Sequence, residues 1–543
     1  MLKEEFEGYN TKKAIGDLLA GITVAAVALP LALAFGVSSG ADAAAGMITA
    51  IIAGLVIGTL SGGYYQISGP TGAMAAVLMS VVARSGMQGV LLAAFLAGAM
   101  LVLAGVLKLG KLTSFIPMPV ITGFTSGIAV IIALGQLDNL FGVTSKGETA
   151  LQKLMSYGAL GFSPNWIALG IGLCVILFMT LYPKKWNAVV PASLISIVLA
   201  TAACLLFAPD VKTVGAIPQT LLLENRLSVS SLTLENLSDV LSPALSIAML
   251  GMIESLLCGA SAGRMTGKRL DSNQELIAQG IGNMVLPFFG GIPATAAIAR
   301  TSVAIKSGAV TRLASIFHAL ALLCFMLLLA PLMARIPLSA LAGVLMVTAW
   351  RMNEWHAIRY LLKNKLKGAT LVFFATMAAT IVFDLTAAIL IGVGIAVIHM
   401  LRRMAKLEIS YAKVDVERIK SADADMRARL ENAMVAYIYG PIMFANAQVV
   451  EDMAVKFAGC KEVYLSMRGV SDIDTSGAQA LMALVKALQS GGAQVLVAGL
   501  PEKASAMCAQ CGVQDVIGKE NLYFSIDRAL MGNHDERQFV VEE

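Results

Sequence analysis

Long apolar runs, broken by short polar stretches, fill the chain as far as about residue 400. A membrane-spanning helix needs about 20 mostly apolar residues. Runs of that kind lie near 15–37, 43–60, 88–107, 112–135, 164–182, 188–208, 244–262, 310–331, 336–350, 368–383 and 384–402. Three further stretches, near 71–83, 273–289 and 294–306, are short or interrupted. The pattern predicts a polytopic α-helical membrane protein of fourteen transmembrane segments.

Past Leu401 the period changes. Val435–Tyr439, Glu462–Ser466 and Gln494–Ala498 read as strands, with helices starting near Ala447 and Ser476. Strands alternating with helices of this length predict a small α/β domain. The expected organisation is an N-terminal segment 1–14, a membrane domain 15–402, a linker 403–433, the α/β domain 434–532 and a tail 533–543.

Composition agrees with two joined materials. Overall 57% of residues are hydrophobic and 14% charged, against about 45–50% and about 25% in soluble domains. Residues 1–400 hold 40 charged side chains and residues 401–543 hold 35, so charge density more than doubles at the junction. That excludes a secreted, fibrous or disordered protein. The net charge of +5 is not gathered in a basic stripe, which argues against nucleic-acid binding. Cys174, Cys204, Cys258 and Cys324 fall in apolar runs, and Cys460, Cys508 and Cys511 in the soluble part, which reads as reduced thiols and no disulfide framework. Cys508 and Cys511 lack a second pair or a nearby histidine for zinc, and read as helix packing. No metal or cofactor is expected.

The first apolar run follows Lys3, Glu4, Glu5, Glu7, Lys12 and Lys13 and has no small-residue cleavage site behind it, so it is expected to be a retained helix. Basic clusters at Lys12 and Lys13, at Arg264, Lys268 and Arg269, and at Arg402, Arg403 and Lys406 mark the expected cytoplasmic side. An even helix count puts the N-terminus and the α/β domain there together, on the inner membrane.

The short segments carry the chemistry. The third begins Ile67-Ser68-Gly69-Pro70-Thr71-Gly72-Ala73-Met74 and the tenth Gly290-Gly291-Ile292-Pro293-Ala294-Thr295-Ala296-Ala297. Each has a glycine turn, a proline, small residues and a threonine, at matching places in two halves of seven. Such interrupted segments point to an inverted-repeat transporter with its site where the repeats meet. A half-helix ending inside the bilayer presents unpaired N–H groups and a partial positive charge. Amides of Thr71, Gly72, Ala73, Ala294, Thr295 and Ala296, with the two threonine hydroxyls, would line an anion cradle. The same small residues also permit close helix contact, a structural role compatible with the first.

Ionisable groups inside membrane segments are costly and so are functional candidates. Glu254 lies midway along the eighth segment, on a face with Gly251, Cys258 and Ser261, and is expected to carry a proton because desolvation penalises its charged form. Its structural alternative is a pairing with neighbouring backbone or with Arg300. Arg300, about 9 Å from the start of the tenth segment at 1.5 Å per residue, would compensate a bound anion, salt-bridge Glu254 in its absence, or snorkel to the surface. Asp384 reads as a helix cap. His318, His356, His399 and His534 are too scattered for a metal set.

These residues resemble the SulP family of anion transporters, whose members carry a cytoplasmic STAS domain. Ala28-Leu29-Pro30-Leu31-Ala32-Leu33-Ala34-Phe35-Gly36 is similar to the family's first-helix signature. Gly69-Pro70-Thr71, Gly291-Ile292-Pro293-Ala294-Thr295 and Ala299-Arg300-Thr301-Ser302 look like its third- and tenth-helix motifs. Tyr439-Gly440-Pro441-Ile442-Met443-Phe444-Ala445-Asn446 and Ile473-Asp474-Thr475-Ser476-Gly477 look like the two STAS signatures. The resemblance implies a core of helices one to four and eight to eleven moving against a gate, in a homodimer, with a small anion bound between helices three and ten. Leu31 stands where many members have glutamine and resembles the bicarbonate-transporting cyanobacterial branch. That branch couples to sodium through an aspartate and a hydroxyl, where this chain has Glu254 and Cys258. A thiol suits sodium poorly, so proton coupling is expected. Thr475 and Ser476 stand where related regulators are phosphorylated, and otherwise read as helix caps.

The expected function is secondary active transport of sulfate or bicarbonate by alternating access, coupled to protons, and no enzymatic activity. Alternatives are a sodium-coupled bicarbonate or proton-coupled dicarboxylate symporter. From another class comes a membrane sensor signalling to a cytoplasmic protein through its STAS domain. A nucleobase symporter shares the architecture but has no STAS tail.

Overall fold

The computed structural model describes residues 2–111, 116–146, 152, 155–157, 163–183, 186, 190–207, 210–228, 240–383, 385–415, 417 and 424–532. The chain forms two compact units, Met1–Ala396 and Val397–Glu543. In the first, the described elements are α1 (Leu2–Glu5), α2 (Thr11–Ser38), α3 (Ala43–Leu60), β1 (Ser68–Gly69), α4 (Gly72–Val106), α5 (Met118–Gly135), α6 (Leu137–Phe141), α7 (Trp166–Leu181) and α8 (Ala192–Phe207). There follow α9 (Leu241–Thr266), α10 (Ser272–Val285), β2 (Thr295–Ala296), α11 (Ile298–Lys306), α12 (Leu313–Met333), α13 (Leu338–Met352), α14 (Trp355–Lys363), α15 (Lys367–Val382) and α16 (Leu385–Met404). The division between units falls inside α16.

Six of these helices are long and apolar enough to cross a membrane, among the described residues, and α7, α8, α13 and α15 are shorter apolar helices. Side-chain caps start several of them: Asn10 accepts from the Lys13 amide at α2, and Asp42 from the Ala45 amide at α3. The apolar stretches near 71–83 and 88–107 are two helical pieces within the α4 span, broken at Gly86, whose φ of 64° and ψ of −172° are non-helical and need a residue without Cβ. The stretch near 273–289 is α10 followed by a 3₁₀ turn around Pro287.

One element differs from expectation. The sequence reading starts the tenth helix at Ala294, yet α11 begins at Ile298. Thr295 and Ala296 are extended and pair antiparallel with Gly69 and Ser68, because inside a bilayer every backbone group must find a protein partner. Sequence reading also misses α14, a basic amphipathic helix whose first residue, Trp355, packs tilted against Trp350 with ring centroids 4.5 Å apart.

Helices α2, α3, α4, α9, α10, α11 and α12 pack mainly with one another, and α5, α7, α8, α13 and α15 form a second group. In the first group α4 and α10 touch backbone to backbone. A Cβ on either Gly98 or Gly280 would lie 2.6 Å from the other's carbonyl oxygen, so neither position has room for a side chain.

The second unit is a five-stranded sheet with α17 (Ala424–Leu430), α18 (Ala447–Glu451), α19 (Thr475–Ser490), α20 (Glu502–Gln510), α21 (Val513–Ile517) and α22 (Ile526–Met531). Its strands β3 (Glu408–Lys413), β4 (Ala433–Tyr439), β5 (Glu462–Gly469), β6 (Gln494–Ala498) and β7 (Leu522–Tyr523) lie in sequence order, β3 antiparallel and the rest parallel. Alternation sets the two faces: Val463, Leu465 and Met467 pack with Leu481, Leu484 and Leu488 of α19, while Tyr464 joins Leu430 and Ala529 on the opposite face.

Candidate functional site

The first interrupted segment ends its extended stretch at Pro70, and Thr71 caps α4 by accepting from the Met74 amide at 3.3 Å. The second ends at Ala297, which caps α11 without a side-chain bond. Between them runs the β1–β2 pair, with Gly69 opposite Thr295 and Ser68 opposite Ala296. The two interrupted segments therefore meet through a pair of antiparallel extended backbones, which lead into the first turns of α4 and α11.

Glu254 of α9 joins the two tips. Its Oε2 accepts the Thr71 hydroxyl at 2.8 Å and the Thr295 hydroxyl at 2.5 Å. The residue after it, Ser255, accepts the Ala296 amide at 3.2 Å, and its carbonyl accepts Gln66 Nε2 at 2.8 Å. One turn further along α9, the Cys258 thiol donates to Thr301 Oγ1 at 3.2 Å, an oxygen that also accepts the Ile67 amide at 3.1 Å. Helix α9 thus stitches both tips along one face, at positions 254, 255 and 258.

Arg300 is 2% exposed, which removes snorkelling to the surface. Nor does it pair with Glu254: among the described residues no ion pair joins them, and its Nη2 donates to the Pro70 carbonyl at 3.0 Å. Its Nη1 is buried without a partner among the described residues. A Cβ on Gly69 would lie 2.7 Å from Nη1, so the glycine is what admits the guanidinium beside β1. The cation on α11 therefore reaches across to the tip of α4.

Five of the six amide candidates divide as follows. The Ala294 amide donates to Asn283 Oδ1 at 2.8 Å and the Ala296 amide to Ser255, so both are engaged within the protein. Thr295 lies in β2, its hydroxyl on Glu254. Gly72 and Ala73 are buried in the first turn of α4, where a helix has amides without intrahelical acceptors. The corresponding first-turn amides of α11 are Ile298, Ala299 and Arg300. The positions that sequence reading does not single out are Ser255, Thr49 and Asn283, together with Glu275 and Asp17, both buried carboxyls, while Thr301 is named only within a motif. Polar residues inside apolar runs were the available signal.

Elsewhere, Thr475 and Ser476 open α19, with Thr475 exposed. Neither caps it: Asp474 accepts the Gly477 amide at 2.7 Å and, through its other oxygen, the Phe444 amide at 2.9 Å. That carboxylate ties the two STAS-like signatures together, beside the Ile442–Ile473 bridge. Asp384 and His534 lie outside the described residues. Among the described residues no cluster of His, Cys, Asp or Glu is arranged to hold a metal.

Comparison with known proteins matches residues 15–376 to the sulfate permease family and residues 426–529 to the STAS domain. YvdB of Bacillus subtilis (strain 168), named for sulfate transport, is 34% identical over 95% of this chain and 97% of its own length. Bicarbonate transporter BicA of Picosynechococcus sp. is 30% identical over 87% of this chain and 86% of its own. The solved transmembrane domain of a cyanobacterial BicA superposes with a TM-score of 0.65 at 32% identity, over 70% of this chain and 98% of that one. Murine Slc26a9, an anion transporter in an inward-facing state, shares the fold over 97% of this chain and 92% of its own, with a TM-score of 0.82 at 19% identity.

Proposed function

We propose the following for this chain, which belongs to the sulfate permease family and is a multi-pass membrane transporter rather than an enzyme. It carries sulfate or bicarbonate across the inner membrane by alternating access, with protons as the coupling ion. Thr71, Gly72, Ala73, Thr295 and Arg300 hold the anion, and Glu254 carries the proton.

The observation that supports this most is the convergence of both threonine hydroxyls on one oxygen of Glu254. A hydroxyl has a single proton. While Glu254 is ionised, it takes the protons of both tips. Once protonated, it donates instead, and the threonine protons are free to turn toward an anion between the half-helices. Anion and proton are then loaded together, and the tips return to Glu254 when both leave. Arg300, held on Pro70 by one nitrogen, adds the fixed positive charge. Cys258 is occupied by Thr301 and offers sodium a thiol in place of an oxygen, which favours the proton over sodium.

In this reading the first group of helices rocks against the second in a homodimer, with the N-terminus and the STAS domain in the cytoplasm. Thr475, exposed at the start of α19, is the site where a phosphate would meet a cytoplasmic partner. Uptake of labelled sulfate, bicarbonate and succinate into proteoliposomes, with and without a proton gradient, tests the proposal. An active substrate whose uptake ignores the gradient rejects proton coupling, and tight anion binding without flux favours the sensor alternative.

A further inference from the structure

The chain entering the second tip, Ile292-Pro293-Ala294, lies buried in the membrane unit outside any helix. Proline supplies no N–H, so two amides and their carbonyls need partners there. Two side chains on two different helices meet that need, one on each side of Pro293. Thr49 Oγ1 of α3 accepts the Ile292 amide at 2.8 Å, and its proton is shared between the Ile292 carbonyl at 3.0 Å and the Ala45 carbonyl of its own helix at 2.7 Å. Asn283 of α10 accepts the Ala294 amide through Oδ1 at 2.8 Å and donates Nδ2 to the Ala294 carbonyl at 2.9 Å and the Gln279 carbonyl at 2.8 Å. Both side chains are at most 1% exposed.

Asn283 also ends a polar row on α10. Four residues earlier, Gln279 donates to Ser68 Oγ of β1 at 2.9 Å and to Glu275 Oε1 at 2.8 Å, and Glu275 Oε2 accepts Ser61 Oγ at 2.6 Å and the Gly62 amide at 3.0 Å. At four-residue spacing these side chains share one face. That face touches the approach to both tips, and through Asn283 it holds the main chain of the second.

We propose that Thr49 and Asn283 are positioning residues for the anion site. They fix the backbone on both sides of Pro293, and so fix the neighbouring Thr295 hydroxyl against Glu254. The first tip has other holders: its pairing with β2, Arg300 on the Pro70 carbonyl, Thr301 on the Ile67 amide and Gln279 on Ser68. The anion-affinity part of this proposal rests on the transport reading above, but the clamping itself does not.

Two readouts on the full chain in nanodiscs or proteoliposomes keep these apart. Hydrogen exchange over residues 290–297 reads the clamp directly. Thr49→Val and Asn283→Leu, which keep side-chain bulk, should each speed exchange there at least about tenfold, while Thr49→Ser stays near the parent. In sulfate and bicarbonate uptake, both variants should raise the half-saturating concentration about tenfold and leave the maximal rate within about threefold, with Thr49→Ser again restoring parental behaviour. Unchanged exchange in Thr49→Val overturns the clamp, as does Thr49→Ser behaving like Thr49→Val. Faster exchange with unchanged half-saturation overturns the positioning role. If Asn283→Leu fails to fold, the Thr49 pair decides. A parent protein that moves neither anion refutes the transport reading, while the exchange result still judges the clamp.

Discussion

Glu254→Gln isolates the proton from the geometry. Glutamine has the size of the carboxyl and keeps an oxygen where Oε2 now accepts Thr71 and Thr295 at 2.8 and 2.5 Å. Hydrogen bonds to a charged acceptor contribute about 1.5–3 kcal/mol and to a neutral one about 0.5–1.5 kcal/mol. The substitution therefore loosens the two threonines by about 2–3 kcal/mol in all. The β1–β2 pair and the Arg300–Pro70 bond remain to hold the tips. Anion binding should persist within about threefold, since the hydroxyls are freer to serve the anion. What is lost is coupling. With one proton carried per anion, a one-unit pH gradient supplies about 1.36 kcal/mol, which sustains about tenfold accumulation when the membrane potential is clamped at zero. Sulfate is the suitable probe, because its charge does not change near neutral pH. The parent should concentrate labelled sulfate about tenfold per pH unit, and Glu254→Gln should only equilibrate it. A variant that still concentrates sulfate under the gradient, as the parent does, would refute the assignment of the proton to this carboxyl.

Other outcomes follow from individual contacts. Arg300→Ala and Arg300→Lys should both weaken sulfate binding about tenfold or more, read as lost thermal stabilisation by the ion, since an ammonium lacks the planar fork that holds Pro70 while leaving Nη1 for a ligand. Arg312→Ala leaves Glu5 buried without its 2.7 Å partner and removes the bond from Nη1 to the Thr59 carbonyl. It should destabilise the membrane unit by about 3–5 kcal/mol, seen as a lower midpoint in thermal unfolding. Cys508 is buried, and burial pushes its thiol up to about 11. Alkylation at pH 8, followed by peptide mass spectrometry, should therefore label Cys511 and Cys460 well before Cys508, with the difference vanishing on unfolding.

The division of labour between chain and fold is visible residue by residue. Apolar run length alone determined that the chain up to about residue 400 dissolves in a bilayer, and the change of period past Leu401 determined an α/β domain, because both signals are local. Glycine and proline at 69–70 and 290–293 marked the two breaks, and an intramembrane glutamate stood out by its cost alone. Tertiary structure decided the rest. Thr71 lies 183 positions and Thr295 41 positions from Glu254, and only helix packing brings their hydroxyls to one oxygen. The amides of Ala294 and Ala296 looked free in one dimension, and Asn283 and Ser255 claimed them in three. Arg300 found the Pro70 carbonyl instead of a carboxylate. Periodicity reports which face of a helix is apolar, but a hydrogen bond in a bilayer goes to whichever partner the packing brings within 3 Å. Sequence thus named the broken segments, and the fold chose which of their groups are engaged within the protein.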